Sequence, residues 1–138
     1  MNEDLILRSA TVKDIQLELL RRTRFNALDG KRVVASLFRH RHLWRAVVLD
    51  RPGVPNYAEP AHLLTGGLIK LRDLPDDIWN ADTLFISAPS LQDAEALAKV
   101  IDTEDWGGEV QVFRDQAAVD SALGTGRLPY GLLSVWWD

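Results

Sequence analysis

The first forty residues place apolar side chains at the spacing of two helices. Thr11 and Asp14 stand three residues apart in the pattern of a capping box, which starts a helix. Apolar positions follow at helical spacing: Val12, Ile15, Leu19 and Leu20. Asp29 is placed to cap a second helix. The apolar face of that helix holds Val33, Val34, Leu37 and Phe38. We therefore predict an αα-hairpin over residues 11–42.

The middle of the chain gives weaker signals. Residues 44–49 form a compact apolar run that predicts a buried strand. Residues 51–62 hold three of the six prolines and predict an irregular connection, because proline blocks regular backbone hydrogen bonding. A further strand is predicted at residues 68–71, and one helical turn at residues 75–79.

The last third, residues 83–137, has the clearest pattern. Apolar runs of strand length alternate with helical patterns that begin after Ser90 and Asp115, in the order βαβαβ. Helical crossovers favour parallel strands with right-handed connections. We therefore predict one α/β domain over residues 1–138, with a mostly parallel sheet built from this βαβαβ unit and the αα-hairpin packed on it. The expected core holds Leu84, Ile86, Leu97, Ile101, Val110, Val112, Leu133 and Val135.

Two adjacent tryptophans stand in the predicted last strand. Successive side chains of a strand point to opposite faces, so Trp136 and Trp137 should lie on different sides of the sheet. Both can be buried only if the sheet is covered on both faces, or if one face meets a partner.

Composition narrows the class of protein. The chain has 138 residues, 46% of them apolar, and no cysteine. These values indicate a globular domain and exclude disulfides, thiolate zinc sites and thiol catalysis. The longest apolar runs span a few residues, so we expect no membrane segment. The first four residues include Glu3 and Asp4, where a signal peptide would be basic. We therefore expect a cytoplasmic protein.

The net charge of −4 is unevenly distributed. Residues 1–51 hold 11 of the 16 basic residues but 6 of the 20 acidic ones, so they carry +5 and residues 52–138 carry −9. A basic half can contact nucleic acid or an acidic partner, or it can complement the acidic half within one fold. The helical patterns place these candidate contact residues on the hairpin: Lys13, Leu17, Arg21, Arg24, Arg32 and Arg39. In this arrangement Leu17 would be an exposed leucine among the bases.

The sequence carries no recognisable catalytic motif. The loop after the strand at residues 83–88 lacks the glycines of a dinucleotide site, and no serine stands in a nucleophile elbow. His40 and His42 lie two residues apart, which on a helix prevents them from sharing a metal. Ligands of open α/β sheets bind at the carboxyl ends of strands. Residues expected at that edge are Ser87, Ser90, Arg114 and Asp115, which could equally be helix caps and surface residues.

Three functions remain open at this level. The first is a protein-interaction module without catalytic activity, with self-association as one form of it and with no cofactor, metal or membrane partner. The second is a nucleic-acid-binding regulator that uses the basic hairpin, although a pI near 5.3 is low for such a domain. The third is a small-molecule-binding protein or enzyme with its site at the strand ends.

Overall fold

A computed structural model of the chain describes residues 6–50, 81–124 and 129–138. Its helices are α1 (Val12–Arg22), α2 (Gly30–Arg39), α3 (Leu91–Thr103) and α4 (Gln116–Leu123). Its strands are β1 (Arg24–Phe25), β2 (Leu28–Asp29), β3 (Ala46–Asp50), β4 (Thr83–Ala88), β5 (Glu109–Phe113) and β6 (Gly131–Trp136). Single 3-10 turns span Leu7–Ser9 and Arg41–Leu43. The predicted features at residues 51–62, 68–71 and 75–79 lie outside the described residues.

The predicted helix starts are confirmed. The Thr11 hydroxyl accepts a hydrogen bond from the Asp14 backbone N–H at 3.1 Å, and the Asp14 carboxylate accepts one from the Thr11 N–H at 3.0 Å. Asp29, Ser90 and Asp115 likewise cap the first turns of α2, α3 and α4. Each cap satisfies a backbone N–H that the helix itself leaves without a partner.

The predicted mostly parallel sheet is wrong. Strands β3, β4, β6 and β5 lie side by side in that order, and each neighbouring pair is antiparallel. Strands β4 and β5 do run in the same direction, as a helical crossover through α3 allows, but β6 lies between them and pairs with both. The molecule is therefore an α+β arrangement with the element order that the sequence indicates.

The connection through α4 brings β6 back beside the end of β5. The chain leaves β5 at Phe113 and re-enters the sheet at Gly131, and Leu132 pairs directly with Phe113. The connection therefore re-enters the sheet beside the end of β5, and β6 runs in the direction opposite to β5.

The core lies on one face of the sheet. Leu84, Ile86, Leu133 and Val135 point to this face and are fully buried. Buried apolar residues of α1, α2 and α3 belong to the same cluster, and all eight predicted core residues lie in it or pack against it. The other face is more open, with Val48 49% and Trp136 36% exposed. Strand β3 is thus buried on one face only, not on both as its apolar run predicted.

The tryptophans follow the predicted alternation. Trp137 is fully buried, and its indole Nε1 donates a 2.7 Å hydrogen bond to the Trp106 carbonyl. Trp136 points to the opposite, open face. One tryptophan therefore anchors the core and its neighbour forms part of the surface.

Helix α1 buries only part of the apolar face that its spacing predicted: Leu20 lies in the core, but Val12 and Leu19 do not. Leu17 and Leu20 are 3% and 0% exposed, whereas Val12 and Leu19 are 73% and 42% exposed. The two helices approach closely at the start of α2, where a Cβ on Gly30 would lie 1.7 Å from the Leu20 carbonyl oxygen. The side of α1 that carries Leu17 and Leu20 is the buried one, and α1 packs against α2 and β3.

Candidate functional site

The basic residues of the hairpin do not form one exposed row. Leu17 is buried in the core, so its predicted exposure is wrong. The Lys13 ammonium lies 4.5 Å from the centre of the Trp44 ring, over a residue that is itself buried. Burial of Leu17 and stacking of Lys13 follow from the rotation of α1, which turns this side of the helix inward.

The arginines of α1 and its following turn engage acids close in sequence. Arg21 donates two hydrogen bonds of 2.7 Å to Glu18, and this contact lowers the pKa of Glu18. Arg24 lies 3.7 Å from the Asp29 carboxylate. Both pairs are partly exposed, so each adds little stability.

The arginines of α2 engage Glu104, at the end of α3. Arg39 donates a hydrogen bond to one carboxylate oxygen of Glu104, and Nε2 of His40 lies 2.5 Å from the other. Arg32 donates a 2.9 Å hydrogen bond to the Glu104 backbone carbonyl. These four residues, here called the Glu104 cluster, join residues more than sixty positions apart in the chain.

The Glu104 cluster has a clear electrostatic basis. Helix α3 has no basic residue in its last turn, so its exposed carbonyl groups and the negative end of its dipole lack a cation of their own. Helix α2 supplies that charge from the basic half of the chain. Hydrogen bonds with Arg39 and then His40 lower the pKa of Glu104 from 4.5 to about 2. Part of the charge difference between the two halves is thus neutralised within the fold.

Ser36 stands on α2 four residues before His40, next to this cluster. The buried Ser36 hydroxyl accepts a 2.9 Å hydrogen bond from the Trp106 indole, and Nε2 of His40 bonds with the Glu104 carboxylate. In a catalytic triad the histidine stands between serine and acid, whereas here the hydrogen bond of the serine is with an indole and that of the histidine is with the acid. Both contacts connect α2 to residues that follow α3.

The four residues predicted at the strand ends do lie near the same end of the sheet. Strand β6, however, separates those that follow β4 from those that follow β5. Leu132 pairs with Ser87 on one side and with Phe113, the residue before Arg114, on the other. Ser90 and Asp115 cap helices, and Arg114 donates a 3.2 Å hydrogen bond to Glu95. Ser87 is half-buried on the open face of the sheet. Ser90, Arg114 and Asp115 thus have partners within the fold.

A shallow depression lies elsewhere, at the end of α3 and the start of β5. Its volume is about 230 Å³, and its lining includes Ile101, Asp102, Asp105, Gly108 and Val110. Within residues 6–50, 81–124 and 129–138, no three side chains of the types that bind metals come together in a suitable group. In the same ranges no helix is long and apolar enough to cross a membrane.

The least expected surface feature is apolar. Six large apolar residues are exposed in the described part of the chain, and four of them precede or belong to α1. Val12 and Leu19 are seven positions apart, so they lie on one side of the helix with the half-buried Ile15 between them. These three residues are here called the outer face of α1. Ile6 and Leu7, 64% and 74% exposed, stand in the preceding turn.

The spacing predicts Val12, Ile15, Leu19 and Leu20 as the apolar positions of α1, and of these four only Leu20 is fully buried. The signal for this outcome is Leu17, which stands three positions before Leu20 and forms a second apolar side with it. A helix with two apolar sides can bury one and present the other.

Comparison of the chain with family models, curated proteins and solved structures gives no match.

Proposed function

We propose that this chain is a self-associating protein-interaction module, and that a second copy of the chain covers the outer face of α1. The observation that carries the proposal is the exposure of Val12 (73%) and Leu19 (42%) on one side of a helix that is otherwise packed into the core. Clustered exposed apolar residues are a common mark of protein contact surfaces.

The charges of the hairpin support a protein partner. Phosphate binding requires arginine and lysine side chains directed to solvent. Arg21, Arg24 and Arg39 are each within 4 Å of a carboxylate of this chain, which offsets part of their positive charge although Arg24 and Arg39 stay 68% and 58% exposed. Lys13 stacks on Trp44. An apolar contact surface is therefore better supported than a phosphate-binding one.

The exposed apolar side chains are few, so the association should be reversible. Ile6, Leu7, Val12 and Leu19 are 64%, 74%, 73% and 42% exposed, and their burial in two copies is the apolar gain of the contact. Part of this gain offsets the cost of association, so we expect a dimer whose population depends on concentration.

Sedimentation velocity over a wide concentration range tests the proposal. The unmodified chain should shift from monomer toward dimer as its concentration rises, and Val12→Glu should remain monomeric. Val12 is the first residue of α1, where a negative charge favours the helix, so this variant should keep its thermal stability. A monomer at every concentration would refute the proposal.

Val48→Glu is the matched control. Val48 is also an exposed valine, 49% accessible, but it lies on the open face of the sheet. This variant should dimerise like the unmodified chain. If Val48→Glu prevents association while Val12→Glu does not, the contact surface is the open sheet face and the assignment to α1 is wrong.

A further inference from the structure

We infer that the turn between α2 and β3 binds an acidic peptide segment of a partner protein. Residues 41–45, here called the basic turn, hold Arg41, His42 and Arg45, and all three side chains are exposed. This surface shares no residue with the outer face of α1 and takes a different class of partner from the second copy proposed above.

The two arginines of the basic turn have no acidic partner in the described part of the chain. Arg39 and Arg114, for comparison, each lie within 4 Å of a carboxylate. No ion pair joins Arg41 or Arg45 to a carboxylate of the described residues. Their charges can therefore pair with carboxylates of another molecule.

Each of these guanidinium groups lies over an aromatic ring. The central carbon of the Arg41 guanidinium is 5.3 Å from the centre of the Phe38 ring, and that of Arg45 is 4.9 Å from the centre of the Tyr130 ring. A ring beneath one face holds the guanidinium in place and leaves the N–H groups at its edge free to donate. Such a planar fork of donors matches the two oxygens of a carboxylate.

The backbone of the basic turn is fixed at both ends. The Leu43 N–H donates a 3.0 Å hydrogen bond to the His40 carbonyl, and the Arg45 N–H donates a 2.7 Å one to the Ser87 carbonyl. Leu43 and Trp44 are 7% and 4% exposed, so they anchor the turn in the core. Because the backbone and the arginines are ordered before a partner arrives, binding costs less conformational entropy.

An acidic peptide fits this surface better than a nucleic acid does. Single-stranded nucleic acids bind by stacking their bases on aromatic rings. The rings of Phe38, Trp44 and Tyr130 each already carry a cation of this chain. A net charge of −4 also gives a nucleic acid no long-range attraction.

The spacing of the two arginines suits a short extended segment. Arg41 and Arg45 are four residues apart, so their Cα atoms lie within about 14 Å of each other. About four or five residues of an extended peptide span that distance. Two carboxylates of one segment can therefore contact both guanidinium groups.

Fluorescence anisotropy with an acidic peptide tests the inference. The probe is a fluorescein-labelled peptide of alternating glutamate and serine, about ten residues long, whose carboxylates share one side when it is extended. It should bind the unmodified chain saturably. Arg41→Gln/Arg45→Gln should raise its dissociation constant by about tenfold, because two charge-assisted contacts are lost. Arg41→Lys/Arg45→Lys keeps both charges without the planar fork, so its dissociation constant should lie in between.

Lys31→Gln/Lys99→Gln is the matched control. Both lysines are exposed, one on α2 and one on α3, and this variant loses the same charge. It should bind the peptide like the unmodified chain. Thermal unfolding shows whether each variant keeps the fold. If Arg41→Gln/Arg45→Gln does not, Arg41→Lys/Arg45→Lys, which keeps a cation at each ring, replaces it in the comparison.

Each contrary result overturns a definite part of the inference. A lack of saturable peptide binding at low ionic strength overturns it outright. Equal weakening in Lys31→Gln/Lys99→Gln shows attraction to charge in general and overturns the assignment to the basic turn. A labelled oligothymidylate that binds more tightly than the peptide, and is lost in Arg41→Gln/Arg45→Gln, overturns the choice of a peptide. Sedimentation of the chain alone is unaffected by these results, so self-association is tested separately.

Discussion

Replacing Ser36 with alanine removes the acceptor of a buried indole hydrogen bond between α2 and the end of α3. The Ser36 hydroxyl is 2.9 Å from Nε1 of Trp106, and the two residues are 1% and 3% exposed. Water therefore has little access to replace the lost partner. A buried donor left without an acceptor costs about 1–3 kcal/mol.

One smaller effect modifies this figure. Alanine favours a helix over serine by about 0.5 kcal/mol, which acts in the opposite direction. We expect Ser36→Ala to lower the free energy of unfolding by about 1.5 kcal/mol and the Tm by roughly 4–8 °C.

Urea unfolding followed by tryptophan fluorescence at pH 7 measures this change. The midpoint should fall while the slope of the transition stays constant, because the surface exposed on unfolding hardly changes. Ser121→Ala, at an exposed position of α4, is the matched control and should leave the midpoint nearly unchanged.

A double-mutant cycle identifies the cause. Trp106→Phe removes the indole N–H, so Ser36→Ala should cost less in that background by about 1 kcal/mol. An equal cost in both backgrounds would refute the assignment of the effect to this hydrogen bond. A cost below about 0.5 kcal/mol in the unmodified chain would refute the reasoning as a whole.

Three further predictions concern the contacts that hold the helices. Because the pKa of Glu104 is lowered from 4.5 to about 2, its stabilising contribution is complete above about pH 4.5 and is lost as the pH falls toward 2. In urea titrations from pH 7 to 3, the free energy of unfolding should therefore fall less in Glu104→Gln than in the unmodified chain. Equal falls in the two proteins would contradict this. Gly30→Ala should destabilise by about 3 kcal/mol, because its Cβ would overlap the Leu20 carbonyl oxygen 1.7 Å away, and an unchanged Tm would count against that contact. Lys13→Met keeps the alkyl chain over Trp44 but removes the ammonium, so the free energy of unfolding should fall by about 0.5–1 kcal/mol. An unchanged free energy of unfolding would indicate that the charge is unimportant.

Local features of this fold could be predicted from the sequence. The caps at Thr11, Asp29, Ser90 and Asp115 each involve backbone groups two or three residues away, so their chemistry is contained in a few consecutive residues. The central apolar runs of β4 and β6 likewise become core because their alternate side chains share one face.

Strand order and helix rotation could not be predicted in the same way. The direction of β6 depends on where α4 returns the chain, which a pattern of apolar residues does not specify. The rotation of α1 depends on its packing against α2 and β3, and the sequence offers two apolar sides that both suit a helix. In each case a tertiary contact decides between locally equivalent alternatives.

The candidate sites could likewise be predicted only in part. The uneven charge along the chain indicated that the basic half could pair with acidic residues, and the ion pair between Arg39 and Glu104 is one such contact. The sequence could not identify this acidic residue, because the chain has twenty acidic residues and the two paired residues lie more than sixty positions apart. The spacing of the outer face of α1 could be read from the sequence, but the exposure of its side chains could not.

The insertion of β6 between β4 and β5 has a consequence for the order in which the protein assembles. During synthesis β4 and β5 emerge before β6, yet neither pairs with the other in the final sheet. A nascent chain that has not reached Gly131 therefore cannot join β5 to β3 and β4 by backbone hydrogen bonds. Closure of the sheet waits for β6, so a fragment ending before that residue should lack cooperative unfolding. Non-local pairing of this kind also slows folding.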